Sequence, residues 1–292
     1  MLEAPPHRYL VGADFELARA PTTPPDDAPD RRKLRTLLRN QTRRLAELQR
    51  RMYAEDRRAV LLVFQGLDAA GKDGTIRAVL SGLNPAGCSV WSFGPPSSLE
   101  LDHDFLWRTT LRLPERGHIG VFNRSHYEEV ATVRVHRRLL EGQRLPDDAA
   151  GTDAFWARRL HSITEHELHL ARNGTTILKF FLNVSRDEQR ERLLRRLQES
   201  KRHWKFSMAD IESRERWDDY HAAYQAALVA TSRPWAPWYA IPADDKRNAR
   251  LIISHVLIET LRSLPITYPK PDKAQLAEVE RVRKVLTAEG KT

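Results

Sequence analysis

The chain has 292 residues, 41% of them hydrophobic, and 48 Lys and Arg against 39 Asp and Glu, for a formal charge of +9; it can bury a full core and fits one large α/β domain with an extension, or at most two domains. Its single cysteine, Cys88, excludes an intrachain disulfide framework, and no apolar stretch approaches the ~20 residues of a membrane span. With no signal-peptide pattern at the N-terminus, a cytoplasmic protein without a membrane partner is expected, and the positive charge calls for a polyanion without choosing between nucleic acid, an anionic surface and a phosphate chain.

Residues 1–29 hold Tyr9 and Phe15 and then a stretch from Pro21 to Pro29 too rich in proline for helix or central strand, so they read as an arm packed on the domain. From Asp30, a candidate N-cap, Leu34, Leu37, Leu38, Leu45, Leu48 and Met52 recur at helical spacing through about Ala54. The basic residues crowding Arg31 to Arg58 are the solvated face of that helix.

The apolar run Ala59 to Phe64 reads as a strand. It feeds Gly66-Leu67-Asp68-Ala69-Ala70-Gly71-Lys72-Asp73-Gly74-Thr75 and then a helical pattern, Ile76 to Leu80. Strand, glycine-rich loop, helix is the context of a P-loop, where backbone N–H groups at a helix N-terminus surround phosphate oxygens and the lysine reaches the transferred group. Gly66, Ala69, Ala70, Gly71, Lys72, Asp73 and Gly74 are therefore expected to bind phosphate. Asp73 stands where Ser or Thr normally holds the metal; it reads as a cap of the helix start. Asp68, inside the loop, is either a metal ligand or acceptor-orienting carboxylate, or an Asx-type brace.

A second strand is expected at Ser89 to Phe93, a helix from about Leu99 to Thr109, and a buried strand at Ile119 to Phe122. That third strand ends on Asn123-Arg124-Ser125-His126-Tyr127-Glu128, after which Val130 to Leu140 is helical. Phosphoryl transfer needs donor and acceptor in line, metal to neutralise charge and cations around the moving oxygens. Lys72 and Arg124 supply cations, Asn123 can orient water, and Glu128 offers a carboxylate just inside a helix.

His161, Glu165, His166, Glu167 and His169 lack zincin spacing and read as a polar helix face, with Leu160, Ile163, Leu168 and Leu170 as its apolar contacts. Thr175 to Val184 is a strong strand, and Ser185 caps a helix that opens the basic run Arg190 to Lys205. Trp235 and Trp238 read as packing anchors; a last strand at about Trp238 to Ile241 precedes a helix from Asp244 to Leu264. Alternating strands and helices argue for a parallel sheet covered on both faces, with ligands at the strands' carboxyl ends. On these residues alone, an ATP-dependent nucleotide kinase and a nucleic-acid-binding P-loop ATPase remain open.

The chain resembles the polyphosphate kinase 2 family in the loop Gly66 to Gly74, in Phe122-Asn123-Arg124-Ser125-His126-Tyr127-Glu128, and in a segment with Trp204-Lys205-Phe206-Ser207, Asp210, Arg214, Arg216-Trp217-Asp218-Asp219-Tyr220 and Ala223-Tyr224. The resemblance implies a P-loop kinase-like three-layer α/β/α domain over residues 30–265, with a parallel central sheet, a helical lid at about 186–220 and a tail at 266–292. It implies a phosphotransferase moving phosphoryl groups between inorganic polyphosphate and nucleotides, with Mg²⁺, or Mn²⁺ in its place, as cofactor. Asp68, Lys72 and Arg124 match catalytic positions, and Glu128 joins Asp68 as metal ligand and Asn123 at the nucleotide. Asn123 combined with Glu128 is similar to the class III subgroup, which phosphorylates both AMP and ADP. Arg192, Arg196, Lys201 and Lys205 would belong to the lid and polyphosphate channel. Guanine nucleotides as further acceptors, a homo-oligomeric assembly and the absence of a nucleic-acid partner complete what the resemblance implies.

Overall fold

The computed structural model describes residues 6–146, 150–201 and 208–289. Five strands, β1 (Ala59–Gln65), β2 (Cys88–Ser92), β3 (Ile119–Asn123), β4 (Thr175–Asn183) and β5 (Trp238–Pro242), form one sheet in the order β2-β3-β1-β4-β5, with every pair parallel. Alternation along β1 divides its side chains between two cores. Val60, Leu62 and Phe64 face one core with Leu45 and Met52 of α1 (Arg31–Glu55), Ile76 and Val79 of α2 (Lys72–Val79), and Ile253 and Leu257 of α9 (Lys246–Ser263). Leu61 and Val63 face the other, built with Leu160, Ile163 and Leu170 of α5 (Asp153–Arg172) and Tyr220, Tyr224 and Leu228 of α8 (Trp217–Thr231). This is the doubly covered parallel sheet that the alternating pattern predicts.

Helix α1 starts where expected: Asp30 Oδ1 accepts from Lys33 N at 2.8 Å. Ser185 likewise caps α6 (Arg186–Gln198), accepting from Glu188 N at 3.1 Å. Asp245, one residue past the predicted start, caps α9 through Arg247 N and Asn248 N. The N-terminal segment lies along the β5 edge, with Val11 N donating to Trp238 O at 2.9 Å and Ser232 Oγ to Val11 O at 2.8 Å. No helix among the described residues is long and apolar enough to cross a membrane.

Two expected helices change. The single helix at Leu99 to Thr109 is two short ones, α3 (Ser98–Leu101) and α4 (Trp107–Thr110), because the Asp104 carboxylate accepts from Leu106 N at 2.8 Å and starts the chain afresh. In place of a regular helix over Val130 to Leu140 there is a π turn at Glu129–Val133 and a 3₁₀ segment at Arg137–Gln143; π turns recur at functional sites. The tail contains α10 (Lys273–Glu289), which has no buried residue. Short α7 (Met208–Glu215) leads into α8. Cys88 is half-buried at the sheet edge, against the core.

Glu167 is the clearest correction to the polar helix face. It is 1% exposed and accepts from Lys179 Nζ at 2.5 Å and Tyr127 OH at 2.8 Å, while Lys179 also donates to Tyr127 OH and Thr231 O at 2.9 Å each. Lys179 sits between the rings of Tyr127 and Trp238, and burial pulls its pKa down to about 8 against the pull of Glu167. Lys179→Met should strand the Glu167 carboxylate and lower unfolding free energy in urea by about 3–5 kcal/mol, with Lys179→Met/Glu167→Gln recovering part of the loss. An unchanged denaturation midpoint in the single variant would show the pair to be energetically neutral.

Candidate active site

The loop begins at Gly66, whose φ of +144° no side chain adopts easily; a Cβ there would meet Leu182 O at 2.9 Å. Gly71, at φ +100°, is the N-cap of α2. Only glycine lets the chain turn this tightly from β1 into a helix N-terminus. Lys72 is 8% exposed and its Nζ donates to Gly66 O at 2.6 Å and Leu67 O at 3.2 Å, which centres the ammonium in the loop. Burial lowers its pKa and Arg124 adds to that, while Asp68, Glu128 and Asp73 oppose it.

Parallel pairing brings the second motif beside the loop: Phe64 faces Asn123 in the β1–β3 register. Arg124 N donates to Phe64 O at 3.0 Å, and Arg124 then turns out at φ +61°, a conformation that costs a non-glycine residue free energy and aims its side chain at the loop. Its Nη2 donates to Asp68 Oδ1 at 2.7 Å. Burial would lower the Arg124 pKa, but Glu128 and Asp68 outweigh it and raise it. Asn123 Nδ2 donates to Asp73 Oδ1 at 2.9 Å and to Ser92 Oγ at 3.1 Å, tying β3 to the first turn of α2 and to the end of β2.

Glu128 is fixed at both carboxylate oxygens. Thr132 Oγ1 donates to Oε2 at 2.7 Å. Gln65, with its amide oriented to satisfy both ends, donates to Oε1 at 2.9 Å and accepts from Ser125 N and Oγ at 3.1 Å each. In the sequence Gln65 shows only as a polar residue closing the apolar run of β1. Asp68, Arg124 and Glu128 line one cavity of about 340 Å³ together with Asp210, Tyr220 and Tyr224. Asp210, largely buried, pairs with Arg196 at 2.5 Å, and its pKa is raised first by burial and then by Asp68. An adjoining cavity of about 440 Å³ shares Arg124 and Glu128 and is walled by Phe93, Pro95, Phe105, Val133 and Leu139, with Arg108 and Gln143 at its rim.

No group of three or more His, Cys, Asp or Glu suited to a metal ion occurs among the described residues. Asp68 and Glu128 in one cavity instead fit Mg²⁺, which is commonly held by one or two carboxylates plus substrate phosphate oxygens.

The expected channel residues separate. Arg192 is 6% exposed; Nη1 donates to Ala69 O and Ala70 O, Nη2 to Ala243 O and Asp244 O, and Nε to Glu188 at 2.7 Å. It braces the loop from outside. Gln189 Nε2 donates to Asp68 O at 3.0 Å and is itself held by Arg214 of α7. Lys201 is exposed. Lys205, with Trp204, Phe206 and Ser207, lies outside the described residues.

The family model described as Polyphosphate kinase 2 matches residues 28–267. An ADP-polyphosphate phosphotransferase of Rhodopseudomonas palustris is 52% identical over 279 residues, 96% of each chain. An AMP/ADP-polyphosphate phosphotransferase of Meiothermus ruber is 48% identical over 232 residues, 80% of this chain and 82% of its own. The crystal structure of Polyphosphate Kinase 2 from Arthrobacter aurescens TC1 superposes with a TM-score of 0.87 at 37% identity, covering 95% of both chains.

Gln65→Leu, matched in size, should lower stability modestly by leaving Ser125 N–H unpaired while the protein stays folded, and should free one Glu128 oxygen. Phosphotransferase turnover should fall about 10- to 100-fold, as misplacement of a positioned group costs. Steady-state rates on protein checked by circular dichroism decide it; wild-type turnover would remove Gln65 from the positioning of Glu128.

Proposed function

Because this chain belongs to the polyphosphate kinase 2 family, we propose that it is a phosphotransferase that moves the terminal phosphoryl group of inorganic polyphosphate to AMP and ADP, making ADP and ATP, and that runs in reverse. The observation that carries this reading is the meeting of Lys72, Asp68, Arg124 and Glu128 at the ends of two neighbouring strands, beside an apolar cavity large enough for a nucleoside. The loop N–H groups and Lys72 hold the end of the donor chain. Arg124 holds the acceptor phosphate, and the cavity walled by Phe93, Phe105 and Leu139 takes the nucleoside.

In the transfer, an acceptor phosphate oxygen forms the new P–O bond as the bond to the rest of the donor chain breaks, and the electron pair leaves with the shortened polyphosphate. Little covalent work falls to the protein, so positioning and charge dominate. Lys72 and Arg124 flank the moving group and stabilise charge spread over its oxygens. Asp68 and Glu128 would hold Mg²⁺, or Mn²⁺ in its place, against the phosphates; when bound it neutralises negative charge on donor and acceptor. Asn123 supplies no charge, which leaves Glu128 as the second carboxylate. Asp68 bound to Arg124 also keeps that guanidinium pointed at the acceptor.

Use of both AMP and ADP rests on Glu128. The end of AMP stops one phosphate short of the end of ADP, so the shorter acceptor depends more on the carboxylate that reaches in from the 3₁₀ turn His126–Glu128, just before the π turn. Guanine nucleotides are further acceptors to be tested alongside.

Lys72→Ala and Asp68→Asn should each lower turnover with polyphosphate by about 100-fold or more while the protein stays folded. Retention of more than about a tenth of wild-type turnover would remove that residue from the chemistry. Chromatography of the products from AMP, ADP, GMP and GDP with long-chain polyphosphate tests the acceptor range. Glu128→Ala should injure AMP phosphorylation more than ADP phosphorylation; a wild type that leaves AMP untouched, or equal losses in the variant, overturns the dual-acceptor reading.

A further inference from the structure

Glu129 opens the π turn one residue past Glu128 and lines the nucleoside cavity, yet it has no part in the transfer described above. Its side chain is 6% exposed. Oε2 accepts from Gln143 Nε2 at 2.8 Å, whereas Oε1 is buried without a hydrogen bond. Arg159 Nε stands 3.4 Å from Oε1, close enough for Coulomb attraction, but that N–H too is buried without a hydrogen bond. The rest of the guanidinium is committed elsewhere: Nη2 donates to Gln143 Oε1 at 3.2 Å, and the group lies over the rings of Phe105 and Phe155, 4.4 and 4.9 Å from their centroids. Gln143 is thereby held at both ends of its amide, between Arg159 and Glu129.

A buried carboxylate oxygen without a donor costs folding free energy, which an arriving N–H group would return. Burial pushes the Glu129 carboxyl pKa up, while Arg159, then Gln143 and Arg108, draw it back. A further N–H donor at Oε1 would favour the ionised form in the same way. The base of an adenine nucleotide carries one such donor, its 6-amino group; the ring nitrogens left free by the sugar only accept.

Resting on the acceptor and cavity assignments above, we propose that Glu129 Oε1 is the base-reading group of the nucleoside cavity and accepts a hydrogen bond from the 6-amino group of adenine. A 6-oxo purine, hypoxanthine or guanine, brings a carbonyl oxygen to the same place, so two acceptors meet and its nucleotides are poorer substrates. The apolar walls at Phe93 and Phe105 bind any purine ring alike. They supply affinity, and Glu129 supplies the choice between purines.

The test measures kcat/KM, with long-chain polyphosphate as donor, for AMP, for purine riboside 5′-monophosphate, which lacks the amine, and for inosine 5′-monophosphate, which has oxygen in its place. In the wild type AMP should exceed the other two by about tenfold or more. Glu129→Gln has one amide oxygen for two donors, Gln143 and the amine, and offers an N–H to a 6-oxo group. Checked by circular dichroism, it should lower kcat/KM for AMP about tenfold more than for purine riboside monophosphate and bring the AMP to inosine monophosphate ratio to about one. Equal losses on all three nucleotides would show a purely structural role through Arg159 and Gln143 and overturn the proposal. A wild type that uses the three alike overturns it without any variant, so the test survives a Glu129→Gln protein that fails to fold. Leu139→Trp, which narrows the cavity, should raise the KM for AMP about fivefold or more; an unchanged KM overturns the cavity as the nucleoside site, and the proposal with it. A wild type that phosphorylates neither AMP nor ADP from polyphosphate refutes the acceptor reading itself, whereas one that phosphorylates AMP without preference among the purines refutes the role of Glu129 alone.

Discussion

The last rung of the β1–β3 ladder, the hydrogen bond from Arg124 N to Phe64 O, is the constraint on which the site depends. It fixes two loops that are about sixty residues apart in the chain to adjacent carboxyl ends of a parallel sheet. Immediately beyond this rung β1 turns into the phosphate loop at Gly66, and β3 turns into Arg124 at positive φ. Both turns are conformations that cost free energy in isolation, and the buried sheet on either side holds them. A slip of one residue in this pairing would carry Arg124 and Glu128 away from Asp68 and reverse the faces of every β3 side chain.

Around that junction the charged groups divide by whether their hydrogen bonds are spent on the protein. Arg192 is spent: it grips the loop carbonyls from behind, so the loop N–H groups stay turned the other way. Lys72 is held at the centre of the loop by its carbonyls, and Arg124, which lines the cavity, is held by Asp68. Arg77, Arg247 and Arg250 are spent on nothing among the described residues. A positive total charge therefore says little about function by itself; what matters is which cations lack an internal acceptor.

Beneath the second motif, the Lys179–Glu167 pair anchors Tyr127, which immediately follows His126 in the turn and precedes Glu128. Removing a cation and a carboxylate from water is expensive, and this pair is tolerable because Tyr127, Thr231 and the two carboxylate oxygens share its hydrogen bonds. The turn bearing Arg124 and Glu128 thus stands on a buried polar network rather than on apolar packing alone. Such a network has one geometry that satisfies every member, which is what a site requiring sub-ångström placement needs.

The sequence by itself determined the layered α/β fold, the strands, the caps at Asp30 and Ser185, the phosphate loop and the second motif, because each is written in local pattern: runs of apolar residues, glycines at fixed spacing, a side-chain oxygen before a helix. Family likeness supplied the reaction through the same contiguous motifs. Tertiary structure alone decided the rest. Glu167 and Lys179 read as a helix-face acid and a strand residue until the sheet stacks against α5; Gln65 reads as the end of a strand until Ser125 and Glu128 close on it. Arg192 and Arg250 are both basic residues on helices in one dimension, yet one is buried against four carbonyl oxygens and the other is left without a partner. Composition counts charges along the chain, whereas the free energy of a charge depends on which acceptors surround it in space, and only the folded chain sets those neighbours.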